Sequence, residues 1–201
     1  GPFLLHVSGD GRVLEAPIAL PDPEHPGAEL RGPDHPALRG RPDAPGARVR
    51  RSGGIEGLAA FPDDRHLLVA LEKPLADATA RELLWLEFDT QARAWTGRSW
   101  RYALSPGAEG VGEIVLAEAD RGYALESAGP AGKGPRLVRR FRLLNDGRIS
   151  TETVVDLARL ADPERLGPPW PGTPPGRLYL PFTALESLAL VDGGERLIVG
   201  N

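Results

Sequence analysis

One arrangement of apolar and polar positions returns three times along the chain. Glu56 to Glu72 reads EGLAAFPDDRHLLVALE, Glu113 to Glu126 reads EIVLAEADRGYALE, and Glu186 to Asn201 reads ESLALVDGGERLIVGN. Each copy opens on a glutamate, runs through small and branched apolar residues, breaks at a short polar turn, and runs apolar again to a closing Glu, Glu or Asn. Two apolar runs around a tight polar break are the signature of a β-hairpin. Hairpin units that return at long spacing point to a propeller or solenoid, because a single unit cannot bury its own apolar face.

The first copy is followed by a polar link from Lys73 to Arg81, then Glu82 to Phe88 (ELLWLEF), a turn from Asp89 to Gly97, and Arg98 to Leu104 (RSWRYAL). Four strands in about fifty residues have the size of one propeller blade. The second copy repeats the plan with a link from Ser127 to Pro135, the strand Arg136 to Leu143, an Asn-Asp-Gly turn within Leu144 to Arg148, and the strand Ile149 to Leu157. The third copy reaches Asn201 after two strands, and an isolated hairpin, Phe3 to Val7 with Val13 to Leu20, precedes the first. The expected fold is therefore all-β: a β-propeller of four-stranded antiparallel blades, one domain over residues 1–201, seen as an incomplete fragment. The aromatics Trp85, Trp95, Trp100 and Tyr102 are expected to pack between blades. Two long Pro-rich connections, residues 21–54 and 158–183, read as a solvated loop and a stiff surface loop. The basic run Arg136, Arg139, Arg140 and Arg142 falls in an expected exposed outer strand and reads as a solvated edge whose charges discourage sheet-to-sheet aggregation.

Composition narrows the class without changing it. Gly (25) and Pro (21) are abundant, which favours short strands joined by turns over a helical bundle, and 41% hydrophobic content is enough for a sizeable core. With 28 acidic against 24 basic residues the chain has no basic field, so nucleic acid is not an expected partner. No apolar run is long enough to span a bilayer as a helix. The absence of cysteine removes disulfides and thiolate metal sites, and the absence of methionine, including an initiator, reads as a piece of a longer chain.

The chemistry that the pattern offers is carboxylate. An antiparallel meander brings the start of its first strand and the end of its second to one end of the sheet. Glu56 with Glu72, Glu113 with Glu126, and Glu186 with Asn201 are thus expected at one mouth of the channel lined by the innermost strands, beneath the long connections. Oxygen donors without cysteine or histidine suit a hard cation, Ca²⁺ ahead of Mg²⁺ because irregular loop ligands tolerate its geometry. The metal ligands expected are Glu56, Glu113, Glu186 and Asn201. His6, His25 and His35 stand in no motif that brings imidazoles together, and they read as ordinary strand and loop residues.

Gly53 to Leu75 (GGIEGLAAFPDDRHLLVALEKPL), Leu83 to Thr90 (LLWLEFDT), Gly110 to Ser127 (GVGEIVLAEADRGYALES) and Leu185 to Asn201 (LESLALVDGGERLIVGN) resemble the phytase-like, esterase-like bacterial β-propeller proteins. The resemblance covers most of residues 50 to 201. The chain departs from that pattern with Glu113 where Asp is frequent, Ser127 where Arg is frequent, and Ser187 in place of Gly. What the resemblance implies is a propeller that hydrolyses phosphomonoesters or carboxylic esters.

The functional expectation is a calcium-dependent hydrolase of phosphate or carboxylic esters at the acidic channel mouth. In it Glu72 or Glu126 acts as general base, and Arg51 and Lys73 neutralise an anionic small-molecule substrate. No GxSxG elbow is present, which disfavours a serine nucleophile. The alternatives are a non-catalytic exported propeller that holds a structural Ca²⁺ and binds a partner, and a lactonase-like calcium propeller. A monomer in the periplasm or outside the cell is expected in each case.

Overall fold

A computed structural model describes residues 2–38, 46–128, 134–167, 171–178 and 186–200. Among them the chain is almost entirely β-structure, with twelve strands and three single-turn 3₁₀ segments. The first full repeat unit forms β3 (Ile55–Ala60), β4 (His66–Leu71), β5 (Glu82–Asp89) and β6 (Ala94–Ala103), a four-stranded antiparallel meander in chain order. The second forms β7 (Gly110–Leu116), β8 (Arg121–Ser127), β9 (Arg136–Leu143) and β10 (Ile149–Asp156) with the same order. The third copy pairs β11 (Ser187–Val191) with β12 (Arg196–Gly200). These are blades of a β-propeller, as the repeat implied. The N-terminal hairpin is shorter than expected: only β1 (Phe3–Leu4) and β2 (Ile18–Ala19) pair as strands, with one further bridge between Val7 and Val13.

The inner strands stand side by side, β3 against β7 and β7 against β11. Gly57 is what permits the first of these contacts, since a Cβ there would stand 2.9 Å from Ile114 Cγ1. Between the two blades lies the main core, in which Trp85 stacks on Tyr102 at 4.8 Å and meets the edge of Phe141 from the next blade at 4.9 Å. Such aromatic pairs add about 0.5–1.5 kcal/mol to the burial of their area. Trp95 packs on Phe88 and donates its indole N–H to Ala19 O at 2.8 Å, so this ring fastens the N-terminal hairpin rather than a neighbouring full blade.

Two expectations are corrected. The connection at residues 21–54 is not a solvated loop along its described length. Leu30 and Val49, with Leu20 just before it, are buried against Leu71, Leu84 and Leu86 on the free face of the first blade. Polar composition concealed this because only every tenth or so residue supplies the apolar contact. The segment is fixed by Arg48, which bonds Asp22, Glu24 and Asp77. The second correction concerns the basic run. The strand β9 lies between β8 and β10, and Arg139 is mostly buried, donating to Ser105 Oγ and to Thr151 Oγ1. Arg140 and Arg142 do remain at the surface, paired with Glu152 and Asp120. The histidines of the first connection pair locally, His25 with Asp22 at 2.9 Å and His35 with Glu29 at 3.2 Å. In the second connection, Ala161 bridges to Arg177, while residues 168–170 of the Pro-rich run fall outside the described part.

Candidate functional site

The candidate site is the end of the inner hairpins where β3 and β7 begin and β4 and β8 end. Glu72, just beyond β4, is held from both sides through its backbone: its N–H bonds Gly54 O at 2.9 Å, and its carbonyl accepts the N–H of Val111 on the second blade at 3.1 Å. The second blade can come this close because residue 110 is glycine, whose absent Cβ would lie 2.7 Å from Glu72 O. Glu72 therefore sits at the seam between blades with little freedom to move. Its carboxyl is pushed above the ordinary carboxylate range, first by burial and then by the charges of Glu56 and Glu186, while neighbouring Lys73 pulls the other way.

Glu56 and Glu186 thus both act on Glu72 through their charge. Glu113 does not join them. Its carboxylate accepts the N–H of Ile114 at 2.9 Å and that of Leu58 on the first blade, so it bolts one inner strand to the next. Burial is the main cause that raises its carboxyl, and no acidic neighbour contributes. The divergence between Glu56 and Glu113, which occupy the same place in the repeat, comes from β-bulges displaced by one residue. In β3 the unpaired extra residue is Glu56 itself, between Ile55↔Leu71 and Gly57↔Ala70. In β7 it is Gly112, and Glu113 stays in register opposite Leu125. A bulge re-aims the side chain it carries, and this one leaves Glu56 exposed.

Glu126 differs just as much from its counterpart Glu72. It has no exposed surface. Tyr102 donates to its Oε1 at 2.6 Å, the N–H of Ser105 reaches its Oε2 at 3.3 Å, and Arg139 stands 3.6 Å away. Burial beside this carboxylate also drives the Tyr102 hydroxyl well above the ordinary phenol range, so it remains a donor. Neither Tyr102, Ser105 nor Arg139 was singled out for this contact from the sequence. The one available signal was inward alternation along Arg98 to Leu104, which places a polar hydroxyl on the same face as Trp100.

The cations expected to meet substrate are already engaged. Lys73 Nζ lies 3.5 Å from Glu72 Oε1 and donates to Ser52 O at 2.6 Å, and Arg51 pairs with Asp34 at 3.2 Å. Asn201 lies outside the described residues. The oxygen-only donor set fits a hard cation in kind. Among the described residues, however, no three His, Asp or Glu side chains stand close enough together to hold a metal ion. The two observations agree physically, because carboxylates repel one another over many ångströms whereas Ca²⁺ needs its oxygens at about 2.3–2.6 Å.

A family model described as phytase-like, esterase-like activity of phytase, matches residues 1–201. No curated protein and no solved structure matches the chain at a significant level.

Proposed function

The chain belongs to the phytase-like family, and from that premise we propose that it is an ester hydrolase whose reaction takes place at the acidic mouth of the channel. The observation that carries this reading is Glu72, a half-buried carboxyl at the blade seam, raised by burial and by Glu56 and Glu186. A raised carboxyl is a stronger base once ionised, and backbone bonds on both sides keep it in position. In the proposed step Glu72 takes a proton from water as the water oxygen bonds to the ester's acyl or phosphoryl centre. The bond to the alcohol oxygen breaks, and the proton returns to the departing alkoxide.

Lys73, with three ammonium donors and two neighbours, has one left to polarise the ester oxygen on which charge develops. Arg51 stands further out as a second cation for substrate. Glu126, sealed inside the blade interface, is assigned to holding that interface rather than to proton transfer. Ca²⁺ is the counter-ion proposed for Glu56 and Glu186, with Asn201 as a further oxygen ligand of the repeat; Glu113 would have to leave its bonds to Ile114 and Leu58 to join them, and Glu72 is kept as the base. Bound there, it would relieve carboxylate repulsion. Small-molecule esters are the partners of this reading, in the periplasm or outside the cell. No helix among the described residues is long and apolar enough to cross a membrane.

The test is hydrolysis of p-nitrophenyl acetate and p-nitrophenyl phosphate by the parent and by Glu72→Gln, with and without a chelator, beside calcium titration calorimetry. Loss of about 100-fold or more in kcat for the variant is expected of a general base. Equal turnover by the two proteins removes Glu72 from the chemistry. Calcium uptake without turnover of either ester favours a binding propeller with a structural ion.

A further inference from the structure

The chain enters the first blade through a turn, residues 50–54, that clasps the residues following β4. Gly54 O accepts the N–H of Glu72 at 2.9 Å, Ser52 O accepts a proton of the Lys73 ammonium at 2.6 Å, and Arg50 Nε donates to Pro74 O at 3.0 Å. Two features of the turn aim the middle contact. Ser52 has a φ of 51°, in the left-handed region that residues other than glycine seldom enter, and its own side chain is exposed. Gly53 lets the turn lie against the lysine stem, since a Cβ there would stand 3.1 Å from Lys73 Cβ and 3.2 Å from Arg50 Cβ. Backbone strain of this kind persists only where the surroundings over-determine it.

The neighbouring carboxylate shows what the clasp does. An unrestrained ammonium beside a carboxylate closes to about 2.7–2.9 Å in a charge-assisted hydrogen bond. Lys73 Nζ stands instead at 3.5 Å from Glu72 Oε1, on a side chain that is only 29% exposed. The bond to Ser52 O takes one of its three donors and draws the ammonium away from the carboxylate. We propose that Ser52 is the positioning residue of the site: its left-handed backbone turns a carbonyl onto Lys73, which keeps the ammonium from collapsing onto Glu72 and aims its remaining donor at the ester oxygen. The proposal rests on the hydrolase reading above and adds to it the residue that sets the distance between the electrophile and the base.

Holding the ammonium protects both functions. Full pairing would weaken Glu72 as a base and bury the donor that the developing oxyanion needs, whereas a free ammonium would lose its alignment. A misplacement of about 1 Å in a reacting group can cost about 100-fold in rate.

The test varies the backbone without touching Lys73. Asparagine tolerates the left-handed region and valine does not, so Ser52→Asn should keep the clasp and Ser52→Val should open it. Gly53→Ala, which presses a methyl group on the lysine stem, should act like Ser52→Val while leaving Ser52 itself intact. The first readout is the ¹⁵N signal of the Lys73 ammonium, which shares the lysine spectrum with Lys133 alone and is assigned by Lys73→Met. Its exchange with water should quicken about tenfold in Ser52→Val and Gly53→Ala and stay unchanged in Ser52→Asn. The second readout is turnover of p-nitrophenyl acetate and p-nitrophenyl phosphate. In Ser52→Val and Gly53→Ala, kcat should fall about tenfold or more with KM within about twofold, and should fall no further when either change is combined with Lys73→Met.

An ammonium that in the parent exchanges as fast as free lysine overturns the proposal, as does a Ser52→Val protein with the exchange and turnover of the parent. A Ser52→Val loss that persists in full beside Lys73→Met shows that Ser52 does not act through the lysine, and overturns it too. A slowly exchanging ammonium that Ser52→Val releases, in a parent that turns over neither ester, upholds the clasp and overturns the hydrolase reading alone.

Discussion

Replacing Tyr102 by phenylalanine removes one oxygen from the seam between the two full blades and leaves the ring in place. That oxygen donates to Glu126 Oε1 at 2.6 Å, the shortest contact this buried carboxylate makes, whereas Ser105 N stands at 3.3 Å and Arg139 at 3.6 Å. A hydrogen bond to a charged group contributes about 1.5–3 kcal/mol, and the stranded acceptor cannot turn to water because Glu126 has no exposed surface. The expected loss is therefore about 2–3 kcal/mol, or roughly 4–12 °C in Tm for a chain of this size. Urea unfolding followed by tryptophan fluorescence measures it, with an unchanged m-value as the sign that only stability has moved. The double variant Tyr102→Phe/Glu126→Gln should lose less than the sum of the two single losses, because both remove the same contact. A Tyr102→Phe protein within about 0.5 kcal/mol of the parent would refute the idea that this pair holds the blades together.

Further outcomes follow from the same geometry. Because burial and the charges of Glu56 and Glu186 raise Glu72 in the folded state, its contribution favours folding below the unfolded value of about 4.3 and is lost as pH rises through the folded one. Melting curves of Glu72→Gln should accordingly fall less steeply from pH 4 to 8 than those of the parent, and a steeper fall counts against that environment. Gly110→Ala puts a Cβ 2.7 Å from Glu72 O, so it should cost about 1–3 kcal/mol in chemical denaturation and depress ester turnover with it. Arg48→Ala strands the buried Asp22, whose carboxyl burial pushes up but hydrogen bonds from Arg48 and His25 bring below the usual range. The expected loss is about 3 kcal/mol above pH 5, shrinking as pH falls below the unfolded value of about 3.9 and Asp22 protonates in both proteins. A loss that stays constant down to pH 2 would contradict it.

The sequence alone determined the propeller. Apolar alternation, polar breaks and the threefold return of the hairpin are local signals, and most of β3 to β12 lie within a residue or two of where the pattern placed them, except that β6 begins at Ala94, inside the expected turn, and β7 begins at Gly110, three residues before Glu113. Strand direction alone also puts Glu56 and Glu72 at one end of the first inner hairpin, where Ile55 pairs with Leu71. What only the tertiary structure decided is which glutamate is free to act. Glu56 and Glu113 are equivalent in the repeat, yet a bulge displaced by one residue exposes the first and leaves the second bonded to Leu58. Glu72 and Glu126 close equivalent strands, yet only the second finds Tyr102 across the seam. A bulge and a partner from another blade are set by packing between segments far apart in the chain, and no local pattern of apolar and polar residues encodes them. The N-terminal segment teaches the same thing from the other side: its few leucines became core because an open blade face lay next to it.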